Sequence, residues 1–344
     1  MRLIQFEMTQ GGRRAGVVEG ETVYDLASLH PRWNRVYFIF AEAQRAGMTL
    51  EAFIASKPYR AEATQLPYSD LLARKPGEGP AWLLPPLDHP DVAHCFVGGT
   101  GLTHLGSTAQ RDQMHKNAAS NAPKTDSQKM FEMGLEGGKP APGVRGVEPE
   151  CFYKGTGAIL RGPNDWLDIP SFSQDGGEEP EIVGCYVIGA DGAPYRLGFA
   201  IANEWSDHTQ ERVNYLWLAP SKLRTCAVGP ELVTDEPFQD LRGYCRISRQ
   251  GQALYDSGEL LTGEANMCHS LANMEDHHFK YPQFRLPGDV HIYFFGTMKL
   301  SFGQRVAFEQ GDRIEIAFNG MGAPLVNYVR RCPPDDSPIV VKKG

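Results

Sequence analysis

The stretch from Glu178 to Lys222 narrows what this chain can fold into more than any other part of it. It reads E-E-P-E-I-V-G-C-Y-V-I-G, reverses at Asp191-Gly192-Ala193-Pro194, continues L-G-F-A-I-A-N-E-W-S-D-H-T-Q-E-R, and closes at A-P-S-K. The V-G-C-Y-V-I-G run is apolar and strand-like, and the reversal uses residues that suit a tight turn. A strand–turn–strand unit therefore sits at the centre of the chain. Its ends are acidic. Glu179 and Glu181, at i and i+2, point to the same side of a strand, and the returning run delivers Glu204. Three carboxylates gathered by one reversal make an oxygen site for a hard cation: Mg²⁺, with Mn²⁺ equally acceptable to such ligands. Lys222 falls close enough to work beside that ion. The plain alternative is that these acids are solvated strand ends.

The flanking sequence extends the β-rich pattern. Residues 1–30 read as short strands separated by Gly11-Gly12 and Glu19-Gly20. Helices are expected over 35–47 and 49–56, with Thr49 as a cap. A Pro- and Gly-rich stretch through Pro67, Pro76, Pro80, Pro85 and Pro86 reads as a linker. This divides the chain into a small N-terminal α+β domain over 1–85 and a main body over 86–335. The body carries a polar, lid-like insertion near 105–150, and residues 336–344 form a tail. After Lys222 the pattern is again mainly β, with a helix expected from Gly263 to about His278. The glycines of V-G-G-T-G-L-T-H-L-G lack dinucleotide-loop spacing. His269, His277 and His278 read as packing or capping residues in preference to zinc ligands.

A formal charge of −8 disfavours nucleic acid, whose phosphates demand a basic face. It does not disfavour a small anion, because a bound divalent cation reverses the local sign. Seven scattered cysteines without a C-x-x-C pair fit reduced thiols in the cytoplasm. No run approaches the roughly 20 apolar residues of a membrane span.

The chain resembles the fumarylacetoacetate hydrolase superfamily. The likeness rests on V-G-G-T-G-L-T-H with its loop His104, the acidic pair of E-P-E-I-V-G, the N-E-W-S-D-H-T-Q-E-R block, P-S-K before a G-P turn, and the closing P-G-D-V-H-I-Y-F-F-G-T and G-D-R-I-E-I-A-F-N-G-M-G runs. Further blocks, among them G-E-A-N-M-C-H-S-L-A-N, resemble a subgroup tied to bacterial sugar-acid catabolism. The resemblance implies a mixed β-sandwich roll, a homodimer, and Mg²⁺ at the acidic triad. Departures from the family pattern are Glu204 for the usual Asp, His208 for the usual Arg, and Ser107 where hydrolytic members carry a Glu that activates water.

A site of this kind chelates a small 2-oxo acid through its carboxylate and 2-oxo oxygen, which acidifies the C3 protons. Lys222 is one candidate base, its pKa expected to fall toward neutral beside a cation; His104 is the other, or the acid for a leaving C4 hydroxyl. Thr297 and Gly296 are candidates for holding the substrate carboxylate, with His208 and Ser107 nearby. Lys154 either reaches the site or is solvated. The expected activity is dehydration of a 2-keto-3-deoxy pentonate to 2,5-dioxopentanoate. The alternatives are C–C hydrolysis of a 2,4-diketo-3-deoxy sugar acid and non-catalytic sugar-acid binding.

Overall fold

The computed structural model describes residues 1–105, 124–302, 304, 307–335 and 337–344. Its centre is the hairpin that the sequence announces. Pro180–Ile188 pairs antiparallel with Pro194–Asn203, in the register Pro180 to Asn203 and Ile182 to Ile201. Every residue of the first strand is buried, which is why it reads as an unbroken apolar run instead of alternating. Its other neighbour is Val290–Phe294, also antiparallel, which in turn runs parallel to Cys95–Gly101. Gly192, at φ +77°, makes the reversal, and the Asp191 carboxylate accepts the Ala193 N–H at 3.0 Å.

Thirteen of the described strands join this sheet, from Thr64–Pro67 at one edge to Glu150–Thr156 at the other. A second sheet of six strands runs from Gln252–Asp256 through Leu241–Arg249, Arg313–Phe318 and Leu325–Arg331 to Trp166–Ile169. The two faces of the hairpin serve different cores. Ile182, Tyr186, Phe199 and Ile201 pack with Cys245, Ile247, Ile314 and Val329 of the second sheet. Val183, Cys185, Ala200 and Ala202 face the other way, into a core shared with Leu3, Val36, Ile39 and Val97. The α+β, β-rich fold expected from the sequence is the fold found.

Local differences have local causes. Helices run Val36–Arg45 and Leu50–Ala55, the second capped by the Thr49 hydroxyl. The stretch expected to be a linker contains the helix Tyr68–Leu72 and the strand Ala81–Leu84, which pairs with Arg2–Met8. Pro80, Pro85 and Pro86 lie outside the pairing of Ala81–Leu84, and Pro67, opposite Thr22, is the last residue of the edge strand Thr64–Pro67, so no inner ladder loses a donor. Gly98 and Gly99 are not in a loop; they lie within Cys95–Gly101 because a Cβ on either would meet backbone or side chain at under 3.0 Å. The late helix is shorter than expected, Leu271–Phe279, started by the Ser270 cap.

Candidate active site

The hairpin ladder continues past its strands. The Glu204 N–H donates to the Glu179 carbonyl at 3.0 Å, and Gly177 and Ser206 form a further bridge. Glu179 therefore stands directly opposite Glu204. The alternation that sends Val183, Ala200 and Ala202 to one face sends Glu179, Glu181 and Glu204 to that same face. Like charges directly opposite each other repel, so this arrangement needs compensation. All three are buried, at 7%, 1% and 1% exposure, and a carboxylate oxygen of each lies within 4.8 Å of the other two. Among the described residues this is the one cluster of three or more metal-type ligands.

Two lysines and a histidine supply the compensation. Lys222 ends the short helix Leu218–Lys222, and its Nζ donates to Glu179 Oε1 at 2.5 Å and Glu204 Oε2 at 2.8 Å. His208 begins the helix His208–Val213; its Nε2 lies 3.1 Å from Glu179 Oε1. The Asp207 N–H donates to the Ser221 carbonyl at 3.1 Å, which holds those two helices together. Lys154, on the edge strand Glu150–Thr156, donates to Glu204 Oε1 at 2.9 Å, to the Trp205 carbonyl at 2.5 Å and to the Lys222 carbonyl at 2.9 Å.

Burial and charge then set the protonation pattern. Burial, with Glu204 and Glu179 adding to it, pushes Glu181 well above the usual carboxylate range. Burial raises Glu204 as well, with Glu179 reinforcing and the two lysines opposing. Glu179 goes the other way: burial would raise it, but Lys222 and His208 together hold it well below. Burial would lower Lys222, and the carboxylates of Glu179 and Glu204 outweigh it and raise it above the ordinary lysine value. The sequence expectation of a lysine near neutrality is for a lysine beside a bound cation; the two carboxylates in contact hold it high here.

Glu179 and Glu181 each commit one oxygen and leave the other, whereas both oxygens of Glu204 are engaged. Glu179 Oε1 receives Lys222 and His208; Glu181 Oε2 receives the Gly296 N–H at 2.7 Å; Glu204 Oε1 receives Lys154 and the Ser206 hydroxyl at 3.0 Å. Among the described residues no donor meets Glu179 Oε2 or Glu181 Oε1, and Glu204 Oε2 meets Lys222 alone. Three carboxylate oxygens from the two adjoining strand ends of the hairpin fit Mg²⁺ or a similar hard cation as three single-oxygen ligands. The cavity beside them, lined by Glu179 and Glu204 with Phe152, Thr100 and Thr297, measures about 20 Å³, room for about one water-sized or ion-sized occupant.

The remaining expected residues fall in several places. His104 is buried; Nδ1 lies 2.9 Å from the Thr103 hydroxyl and Nε2 3.1 Å from the Thr262 hydroxyl, and neither nitrogen contacts the carboxylates. Because Thr103 donates to the Phe295 carbonyl at 2.7 Å, it accepts from Nδ1–H, which fixes the tautomer. Burial pushes this imidazole down to about 3. Gly296 and Thr297 line the cavity, but the Gly296 N–H serves Glu181 and the Thr297 hydroxyl faces the Pro180 carbonyl at 2.9 Å. The Gly296 N–H and the Thr297 hydroxyl are thus already engaged. Lys154 is buried, not solvated. Ser107 lies outside the described residues. Sequence reasoning missed Ser206, although it stands inside the N-E-W-S block, and Phe152, whose ring centroid lies 5.1 Å from Lys222 Nζ; no motif marks the latter.

No family model matches the chain, and no curated protein matches it in sequence. Solved structures do match. An apo 2-keto-3-deoxy-D-arabinonate dehydratase superposes with a TM-score of 0.69 at 19% identity, covering 97% of this chain and 100% of that one. The same enzyme complexed with magnesium and 2,5-dioxopentanoate gives 0.68 at 19%, covering 96% and 99%. A 5-carboxymethyl-2-hydroxymuconate delta-isomerase from Mycobacterium smegmatis gives 0.55 at 18%, covering 96% and 100%. The chain has the fold of the fumarylacetoacetate hydrolase superfamily.

Proposed function

We propose that this chain is a metal-dependent dehydratase of a 2-keto-3-deoxy pentonate, releasing water and forming 2,5-dioxopentanoate. The observation that carries the reading is the triad Glu179, Glu181 and Glu204, all buried, with a carboxylate oxygen of each within 4.8 Å of the other two. A solved structure of the same fold, complexed with magnesium and 2,5-dioxopentanoate, supports the choice of substrate. Bound there, Mg²⁺ or Mn²⁺ would draw electron density from a chelated 2-oxo acid and make its C3 protons more acidic.

The protein's own groups do the rest. Glu179 and Glu204 are shared between Lys222 and whatever cation fills the cluster. When their charge is engaged elsewhere, burial acts on Lys222 with less opposition and lowers its pKa. Its Nζ is then able to accept the C3 proton. The C4–O bond breaks as the hydroxyl takes a proton, the one that Lys222 received from C3, and leaves as water. Loss of a C5 proton and reprotonation along the chain convert the C5 carbinol into the aldehyde. The substrate is thus a small 2-oxo acid, and we take the working unit to be a homodimer in the cytoplasm. No helix among the described residues is long and apolar enough to cross a membrane.

The deciding experiment is NMR of purified protein with Mg²⁺ and a set of 2-keto-3-deoxypentonates and 2,4-diketo acids. Appearance of the dioxo product from a pentonate is expected. Pyruvate from a diketo acid would replace the reading with C–C hydrolysis. Binding of a pentonate without turnover would leave a sugar-acid-binding protein.

A further inference from the structure

Lys154 is a fully enclosed charge, its side chain 0% exposed. An ammonium has three N–H donors, and here all three are spent on the site itself. One reaches Glu204 Oε1, one the carbonyl of the next residue, Trp205, and one the carbonyl of Lys222. The lysine comes from the sheet's edge strand, yet it touches the end of the central hairpin and the end of the Leu218–Lys222 helix. None of its donors is left for a substrate.

We propose that Lys154 is a positioning residue for the metal site, and not a substrate-binding one. It occupies Glu204 Oε1, together with the Ser206 hydroxyl, so that Oε2, which Lys222 shares, is the oxygen turned to a cation. It also pins the backbone on which Glu204 and Lys222 are mounted, fixing the separation of ligand and candidate base. The Glu at 204 makes this device necessary. Its extra methylene gives the carboxylate one more torsion than an Asp would have, and the Lys154 bond removes that freedom. The proposal rests on the reading of the triad as a metal site, though not on the identity of the reaction.

Charge and position make opposite demands, which is what makes the role testable. If Lys154 acted only as a positive charge, its removal would leave the triad more negative, and a divalent cation would bind more tightly. If it positions Glu204, its removal loosens a ligand, and loss of such an outer partner typically weakens metal binding 10–100-fold. Calorimetric titration of the metal-free full chain with Mg²⁺ and Mn²⁺ separates the two without any assay of activity. For Lys154→Gln, affinity is expected to fall about 10–100-fold. Lys154→Arg retains the charge but replaces three radiating donors with a planar fork, and it should also bind more weakly than the parent. Unchanged or tighter binding by Lys154→Gln, or full recovery by Lys154→Arg, would overturn the proposal. Should Lys154→Gln fail to fold, Lys154→Arg still decides. Absence of metal binding by the parent chain would sink the metal-site reading and this inference together. Metal binding without turnover of any 2-oxo acid would sink only the proposed reaction.

Discussion

The strand Val290–Phe294 has a different kind of buried polar cluster at each end. Just beyond Phe294, the Gly296 N–H donates to Glu181 among three carboxylates and two lysines. Near its start, His291 lies in a nest of rings: Phe96 stacked at 5.1 Å, Phe279 at 5.2 Å, and His278, whose Nε2 is 2.9 Å from His291 Nδ1. In the first, opposite charges stand in contact, and against the pull of burial Lys222 and His208 hold Glu179 low while Glu179 holds them high. In the second no carboxylate answers the imidazoles, and burial alone drives His291 down to about 4 and His278, which His291 depresses further, well below its usual value. Burial pushes each of these groups toward its neutral form; the partner within about 3 Å decides whether it keeps its charge.

Four measurements would break or sharpen that contrast. The largest effect belongs to Glu181→Gln. An amide resembles the protonated carboxyl that burial and the two other glutamates already favour here. The fold should therefore survive, with a metal-free melting temperature equal to or above that of the parent, while metal-dependent turnover is abolished. Retained turnover would show that the triad is not the site.

Next comes Lys222→Met. Removing one partner of a buried ion pair leaves uncompensated charge at a cost of about 3–5 kcal/mol, and loss of a proton-transfer group slows turnover about 10²–10⁴-fold. Exchange of the substrate C3 protons into deuterated water, followed by NMR, reads the second effect. Unslowed exchange would move the base role to another group.

The ring cluster predicts a pH effect with a definite sign. Unfolded histidine binds a proton below about pH 6.5, whereas folded His291 does not until about pH 4. The unfolded state thus takes up protons first, and stability fully present above pH 6.5 is lost as pH falls toward 4, by on the order of 3 kcal/mol for a shift of this size. Denaturant midpoints at pH 7 and pH 5 test it, and the double variant His278→Phe/His291→Phe should flatten the slope. The smallest effect is a control: Arg246 and Asp256 form the same chemical pair at 2.9 Å but in water, both more than half exposed. Arg246→Ala should leave the melting temperature unchanged, as exposed pairs usually do.

The hairpin and its acidic ends were legible because strand periodicity and turn chemistry are local. The E-x-E spacing and the position of Glu204 after the return strand suffice to put three carboxylates on one face. What surrounds them was not legible. Lys154 and Lys222 are 68 positions apart, and only the curl of the sheet brings the amine of one to the carbonyl of the other. The same non-local packing put both lysines against carboxylates, which hold Lys222 high. The strand Ala81–Leu84 was hidden for a related reason: its pairing with Arg2–Met8 gives a Pro-rich stretch an order that its composition does not announce.

The edge-strand lysine has one more consequence. Its bonds to Glu204 and Lys222 span 50 and 68 positions of chain, so the ion-binding corner comes into being only when distant segments have all arrived. Ligands that bind only the native state stabilise it by mass action. Occupancy of the corner would then act as a receipt for completed assembly: a chain that has closed its sheet is held by the ion, and one that has not offers nothing to hold.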